Sequence, residues 1–154
     1  MGPNPTDRAK DGVKRSLLTD AAGIPIGLAI DGANRNDFKL TRETIESIPI
    51  SRPTPTRTSP QGMCLDKGYD YAEALVVVAE FRYTAHIRSR GEEARALRRS
   101  AGERARRWVV ERTHSWMNRF RRVLTRWEKK AENYLAMLHF TCALIVMQAA
   151  KVLG

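Results

Sequence analysis

Two β-prone apolar runs, Arg15 to Thr19 and Ile24 to Ile30, are separated by Asp-Ala-Ala-Gly. That spacing predicts a hairpin whose Gly23 takes a positive φ at the turn. Pro25 opens the second run, a position where a missing N–H is tolerated. The stretch before the hairpin, MGPNPTDRAKDGVK, is rich in Pro, Gly and charge and reads as a loop. Asp37 is placed as the N-cap of a helix reaching about Ile48. Pro49, Pro53, Pro55 and Pro60 then exclude regular structure over 49–62, which reads as a surface connection inside one domain. Met63-Cys64-Leu65 forms a short apolar strand ending at Asp66, followed by a helix from about Tyr71 to Phe81 and a strand from Tyr83 to Ile87. The order strand, strand, helix, strand, helix, strand predicts an α/β mixed sheet with helices packed on it.

Helical periodicity takes over in the C-terminal third. Ser100 and Glu103 match a capping box, so a long helix is expected over 100–130. At about 100° per residue, Val109, Val110, Trp116, Met117, Phe120, Val123, Leu124 and Trp127 share one face. Arg104, Arg107, Glu111, His114, Asn118 and Arg122 share the other. The apolar face is assigned to the core and the polar one to solvent. A last helix over 134–152 is apolar almost all round and is expected to be buried. It is broken by His139, Thr141 and Gln148 and is short for a membrane span, so no membrane partner is expected.

Charge changes this picture of an ordinary domain. The 154 residues carry 27 Lys plus Arg against 17 acids, a net +10. Arg82 to Lys130 alone holds 16 basic residues, 14 of them Arg, and 5 acids. The rest of the chain is balanced. A concentrated Arg surplus implies an anionic partner, either nucleic acid or an acidic membrane surface, since Arg suits forked contacts with phosphate. Cys64 and Cys142 lie far apart in apolar stretches, as buried free thiols of a reducing cytoplasm would. With His86, His114 and His139 unaccompanied by paired cysteines, a zinc site is not expected. No signal peptide opens the chain.

Two carboxylates carry candidate chemistry. Asp66 ends a buried strand and opens the polar turn Lys67-Gly68-Tyr69-Asp70; ligands and metals gather at such strand ends. Glu111 lies on the basic helical face, four residues after Arg107. It is either a member of an intrahelical ion pair or a metal ligand whose cationic neighbours hold phosphates.

Three segments, GPNPTDRAKDGVKRSLLTDAAGIPIGLAIDGANRND, LDKGYD and RWVVERTHSWMNRFRRVLTRWEK, resemble in order and spacing the landmarks of DDE transposases of bacterial insertion sequences, the group called family five. The resemblance implies an RNase H-like fold in which an acidic triad holds two divalent cations, Mg²⁺ or Mn²⁺. Asp66 matches the second acid and Glu111, 45 positions later, the third. Arg107 matches the Arg of the family's Tyr-Arg-Glu-Lys signature. Arg104 stands at its Tyr position and Asn118 at its Lys position; Arg119 or Arg122 is placed to supply the missing cation. Lys67 and His114 are further candidates for phosphate contact. The family's first Asp lies on a strand upstream of the GPNPTDR segment. Asp7, Asp20 and Asp31 do not match it, so that strand and its acid are expected to be missing.

The implied activity is metal-dependent cleavage at the element's ends and strand transfer into target DNA, in the bacterial cytoplasm on the nucleoid. The implied partners are the element's terminal repeats, target DNA, an upstream segment or frame, and a second copy of the chain. A decayed fragment that binds DNA or self-associates without cutting is the alternative. An RNA-binding module predicts exposed aromatic residues among the arginines, whereas Trp116, Phe120 and Trp127 fall on the apolar face.

Overall fold

A computed structural model describes residues 2–4, 11–87 and 107–152. The hairpin forms as the spacing predicts. Strand β2 (Asp11–Thr19) pairs antiparallel with β3 (Pro25–Gly32), and Pro25 faces Thr19 at the strand's start. Gly23 has φ 84°, and the Asp20 side chain closes the turn by accepting from Ala22 N–H at 2.9 Å and Ile24 N–H at 2.8 Å. The segment before the hairpin is not all loop. Strand β1 (Gly2–Pro3) pairs antiparallel with Gly12 and Asp11, and β2 begins earlier than apolar content alone suggests, because ladder bonds need no apolar side chain.

Strand alternation gives β2 two working faces. Val13 and Leu17 point to a cluster with Met117, Val123, Tyr134, Leu138 and Ile145. Leu18 points the other way, to a cluster with Ile45, Met63 and Val78. Ser16, on that second face, accepts from Thr44 Oγ1 at 2.7 Å. The contact is close: a Cβ at Gly27 would lie 2.5 Å from the Thr44 carbonyl.

The second face is covered by a 3-10 turn (Asp37–Leu40) running into helix α1 (Thr41–Glu46). The expected N-cap moves by one residue. Asn36 holds the extended capping conformation, and Asp37 lies inside the turn with its carboxylate 3.1 Å from Lys14 Nζ. Strand β4 (Gln61–Leu65) and helix α2 (Ala72–Glu80) lead to strand β5 (Tyr83–Ile87), which pairs parallel with β4. Among the described residues β4 and β5 form a sheet of their own, separate from β1-β2-β3. The single mixed sheet expected from element order is therefore corrected to two sheets around a shared apolar layer.

The long basic helix is also corrected. Its expected start, with Arg104 and the Ser100–Glu103 box, lies outside the described residues. Helix α3 runs Arg107–Met117, α4 is one turn (Arg121–Leu124), and the chain leaves the helical region at Thr125, with neither helix nor strand from there to Lys130. Asn118 to Phe120 tighten into a turn, with Phe120 N–H bonding Met117 O at 3.0 Å, and Phe120 leaves the helical region at ψ 104°. Met117 and Val123, on either side of the break, are both fully buried in one core. Leu124 and Trp127 are exposed, Trp127 at 75%, rather than part of the core face.

Helix α5 (Ala131–Ala149) buries Tyr134, Leu138, Thr141 and Ile145, a 4-3-4 spacing that marks one stripe. It covers the first face of the β2–β3 sheet. It is not buried all round: Phe140, Val146 and Met147 are exposed. Cys64 is also exposed, contrary to expectation, because it alternates with buried Met63 on β4. Cys142 is half-buried, and burial pushes its thiol up to about 11. Among the described residues no helix is long and apolar enough to cross a membrane.

Candidate active site and nucleic-acid interface

Asp66 directly follows β4 and caps a 3-10 turn (Lys67–Tyr69), its Oδ1 accepting from Lys67 N–H at 2.5 Å. Tyr69 N–H returns to the Asp66 carbonyl at 2.9 Å, and Lys67 pairs with Asp70. The turn is tied to β2 through Tyr69. Its phenol is pushed up first by burial, drawn back by a hydrogen bond from Ser16, and pushed up further by the Asp37 and Asp66 carboxylates. Ser16, Thr44 and Tyr69 thus form a hydroxyl chain between β2, α1 and the Asp66 turn.

Glu111 is exposed on α3. That helix is bolted to the hairpin turn: Thr113 Oγ1 donates to the Gly23 carbonyl at 2.6 Å and Arg112 donates to the Ala22 carbonyl. Gly23 is required here because its φ is positive. One turn beyond Glu111, His114 is held below the ordinary histidine value, first by burial and then by the Arg15 guanidinium. Asn118 accepts from Arg15 Nη2 at 3.1 Å.

Both acids therefore sit on elements anchored to β2, 45 positions apart in sequence. The Asp66 turn reaches the strand at Ser16 and the end of α3 reaches it at Arg15. Adjacent strand residues point to opposite faces, so the two approaches come from the two sides of β2.

The remaining candidates divide by exposure. Arg119 and Lys67 project into solvent, as does Arg122, which is 70% exposed and pairs with Glu128 at 3.2 Å. Arg107 is the first residue of α3, and Arg104 lies outside the described residues. His114 and Asn118 are half-buried against β2 rather than on an open basic face. Sequence reasoning missed Arg15, Ser16, Tyr69 and Glu128. Lys14, Arg15 and Ser16, three successive polar residues between Val13 and Leu17, were the available signal for Arg15 and Ser16.

The chain matches the model of the transposase DDE domain family over residues 2–146. It is 37% identical over 150 residues to the "Putative transposase for insertion sequence element IS402" of Burkholderia cepacia, an alignment covering 94% of this chain and 67% of that protein. No solved structure matches it. The family match over nearly the whole chain, with the relative's identity, places this protein among the DDE transposases of bacterial insertion sequences.

Proposed function

We propose that the chain is the catalytic part of an RNase H-like transposase that cleaves DNA at an element's ends and joins those ends to target DNA. Asp66 and Glu111 serve as the second and third acids of its triad. What supports this reading is the family match over residues 2–146, with Asp66 placed at the end of β4 and Glu111 exposed on α3. Beyond the β1 pairing at Asp11 and Gly12, the outer edge of β2 has no ladder partner among the described residues.

An upstream segment, in the same chain or from a separate frame, supplies the first acid in this reading. The β1 register supports it. Gly2 opposes Gly12 in an antiparallel pair, so an extended segment preceding Gly2 and keeping this register would run along Val13 to Thr19. Asp66 and Glu111 offer hard oxygen donors, which suit Mg²⁺ or Mn²⁺. Among the described residues no three His, Cys, Asp or Glu side chains gather to hold a metal. These two acids are part of a site, and a third donor is needed. Held by Asp66, Glu111 and a third donor, such ions would supply activation of a water or 3′-OH and charge stabilisation at the leaving oxygen.

The chain's own residues bind and orient the DNA. Lys67, Arg119 and Arg122 offer exposed cations, and Arg104 and Arg107 precede Arg119 and Arg122 in sequence. His114, kept neutral, contributes an N–H without a charge. The incomplete acid set also favours a second reading, a chain that binds DNA and does not cut. Incubation with end-bearing duplex and Mn²⁺, with and without the upstream segment, separates the two. Cleavage that appears with the segment and vanishes in Glu111→Gln supports the enzyme; cleavage indifferent to Glu111→Gln sinks it.

A further inference from the structure

Two buried polar atoms beside the C-terminal helices have no hydrogen-bond partner: Nη1 of Arg15 on β2, and Oε2 of Glu128 between α4 and α5. Each belongs to a group whose other end is satisfied. Arg15 Nη2 donates to Asn118, and Glu128 Oε1 holds Arg122 Nη2. Both charges act on the same hydroxyl, that of buried Tyr134. Burial raises that phenol most, Arg15 and Arg126 draw it down, and Glu128 raises it again. The Tyr134 proton is given to the Val123 carbonyl at 2.9 Å and is not available to Glu128. Arg15 lies on the face of β2 whose Val13 and Leu17 pack on the Tyr134 cluster, and Arg126, which holds the Glu128 carbonyl, lies 5.8 Å from the Tyr134 ring. A cationic donor and an anionic acceptor that each lack one partner thus flank the same side chain and are complementary.

We propose that Arg15 and Glu128 are partners, joined by a small side-chain rotation or through one buried water, and that this link positions Arg122 and Asn118 for duplex DNA. The use of that surface for DNA rests on the function proposed above. Glu128 is suited to anchor and Arg122 to present: their side chains are 9% and 70% exposed. One Arg122 nitrogen on Glu128 leaves the other guanidinium donors for a phosphate. Arg126 fixes the backbone of the same segment, donating from Nε to the Glu128 carbonyl at 2.8 Å and from Nη2 to the Lys129 carbonyl at 2.9 Å. Arg15 and Glu128 are therefore positioning residues, acting through Arg122 and Asn118.

The test turns on a sign. Removing an acid beside a DNA surface strengthens binding by simple electrostatics. A positioning role for Glu128 requires the reverse. Duplex binding by the full 154-residue chain is measured by fluorescence anisotropy for wild type, Glu128→Gln and the control Glu132→Gln, an exposed acid in the first turn of α5. Glu128→Gln is expected to weaken binding about tenfold, while Glu132→Gln leaves it unchanged or tighter. In an Arg122→Ala background Glu128→Gln is expected to add nothing. If Glu128→Gln does not fold, Glu128→Asp, which keeps the charge and withdraws it, must still weaken binding. Independently of DNA, thermal melting of Arg15→Met, Glu128→Gln and the double variant reads the link itself. The double variant is expected to lose less than the sum of the singles. Tighter binding by Glu128→Gln overturns the positioning role, and additive melting losses overturn the link. A wild-type chain that ignores duplex DNA removes the DNA reading and leaves the melting test standing.

Discussion

Glu111 and Glu128 lie on the most Arg-rich stretch of the chain and differ in burial. Glu111 is exposed with a carboxylate open to a ligand, and Glu128 is enclosed with one oxygen on Arg122. Glu111→Gln keeps shape and loses charge, so in a complete enzyme it is expected to abolish cleavage and spare duplex affinity. Gel assays of nicking beside anisotropy check both halves. His114 gives a pH signature. Its folded pKa lies below the ordinary value near 6.5, so above about 6.5 neither state gains a proton. As pH falls from there toward the folded pKa, the unfolded chain takes up more protons and stability is lost. Thermal midpoints are expected to drop over that window in wild type and to stay flatter in His114→Gln; parallel profiles would remove His114 as the cause. At this scale the acids were legible, because Asp66 and Glu111 sit in local patterns of strand end and helix face. Arg15 was not. Its bond to Asn118 joins positions 103 apart, and no local pattern encodes that.

Elements were legible where one period governs a segment. The hairpin, β4, α2 and β5 follow alternation or helical spacing, and their positions hold to within a residue or two at most boundaries. The 100–130 expectation failed because amphipathic spacing continues through Asn118 to Phe120 although the backbone turns there. Tertiary packing of Met117 and Val123 on α5 decides, and periodicity does not record it. The break redistributes the cations, with Arg119 in the turn and Arg122 on α4. If both contact phosphates, Arg119→Ala and Arg122→Ala should each lower the slope of log K against log salt by about 1. Unchanged slopes in both would take DNA off this segment. Core weight falls on α5. Leu138 is fully buried between the sheet and the C-terminal turns, so Leu138→Ala is expected to cost about 2–5 kcal/mol in denaturant unfolding. A cost under about 1 kcal/mol would mean that α5 is not the central packing element.

For the whole molecule, the separation of β1-β2-β3 from β4-β5 decides what the chain can do alone. Leu18 of β2 packs in the same apolar cluster as Met63 and Leu65 of β4, yet the two strands belong to different sheets. Element order could not foretell this, since it specifies which strands exist and not which edges meet. An extended segment laid against Val13 to Thr19 in the β1 register would bring its side chains between the Asp66 turn and the α3 side of the strand. The 154-residue chain by itself is therefore expected to bind duplex DNA through its Arg-rich segment and to cleave it poorly or not at all, because two carboxylates place metals weakly. The edge of β2, without a ladder partner beyond Gly12 among the described residues, should also make it prone to associate edge to edge. Adding the upstream segment, fused or in trans, is expected to restore Mn²⁺- or Mg²⁺-dependent nicking at the element's ends and to reduce aggregation in the same preparation. Light scattering and a cleavage assay on one sample read both effects. Efficient, Glu111-dependent cleavage by the short chain alone would place the missing acid within it, at Asp7, Asp20 or Asp31. Restored cleavage without a change in aggregation would mean that the added segment does not occupy the edge of β2.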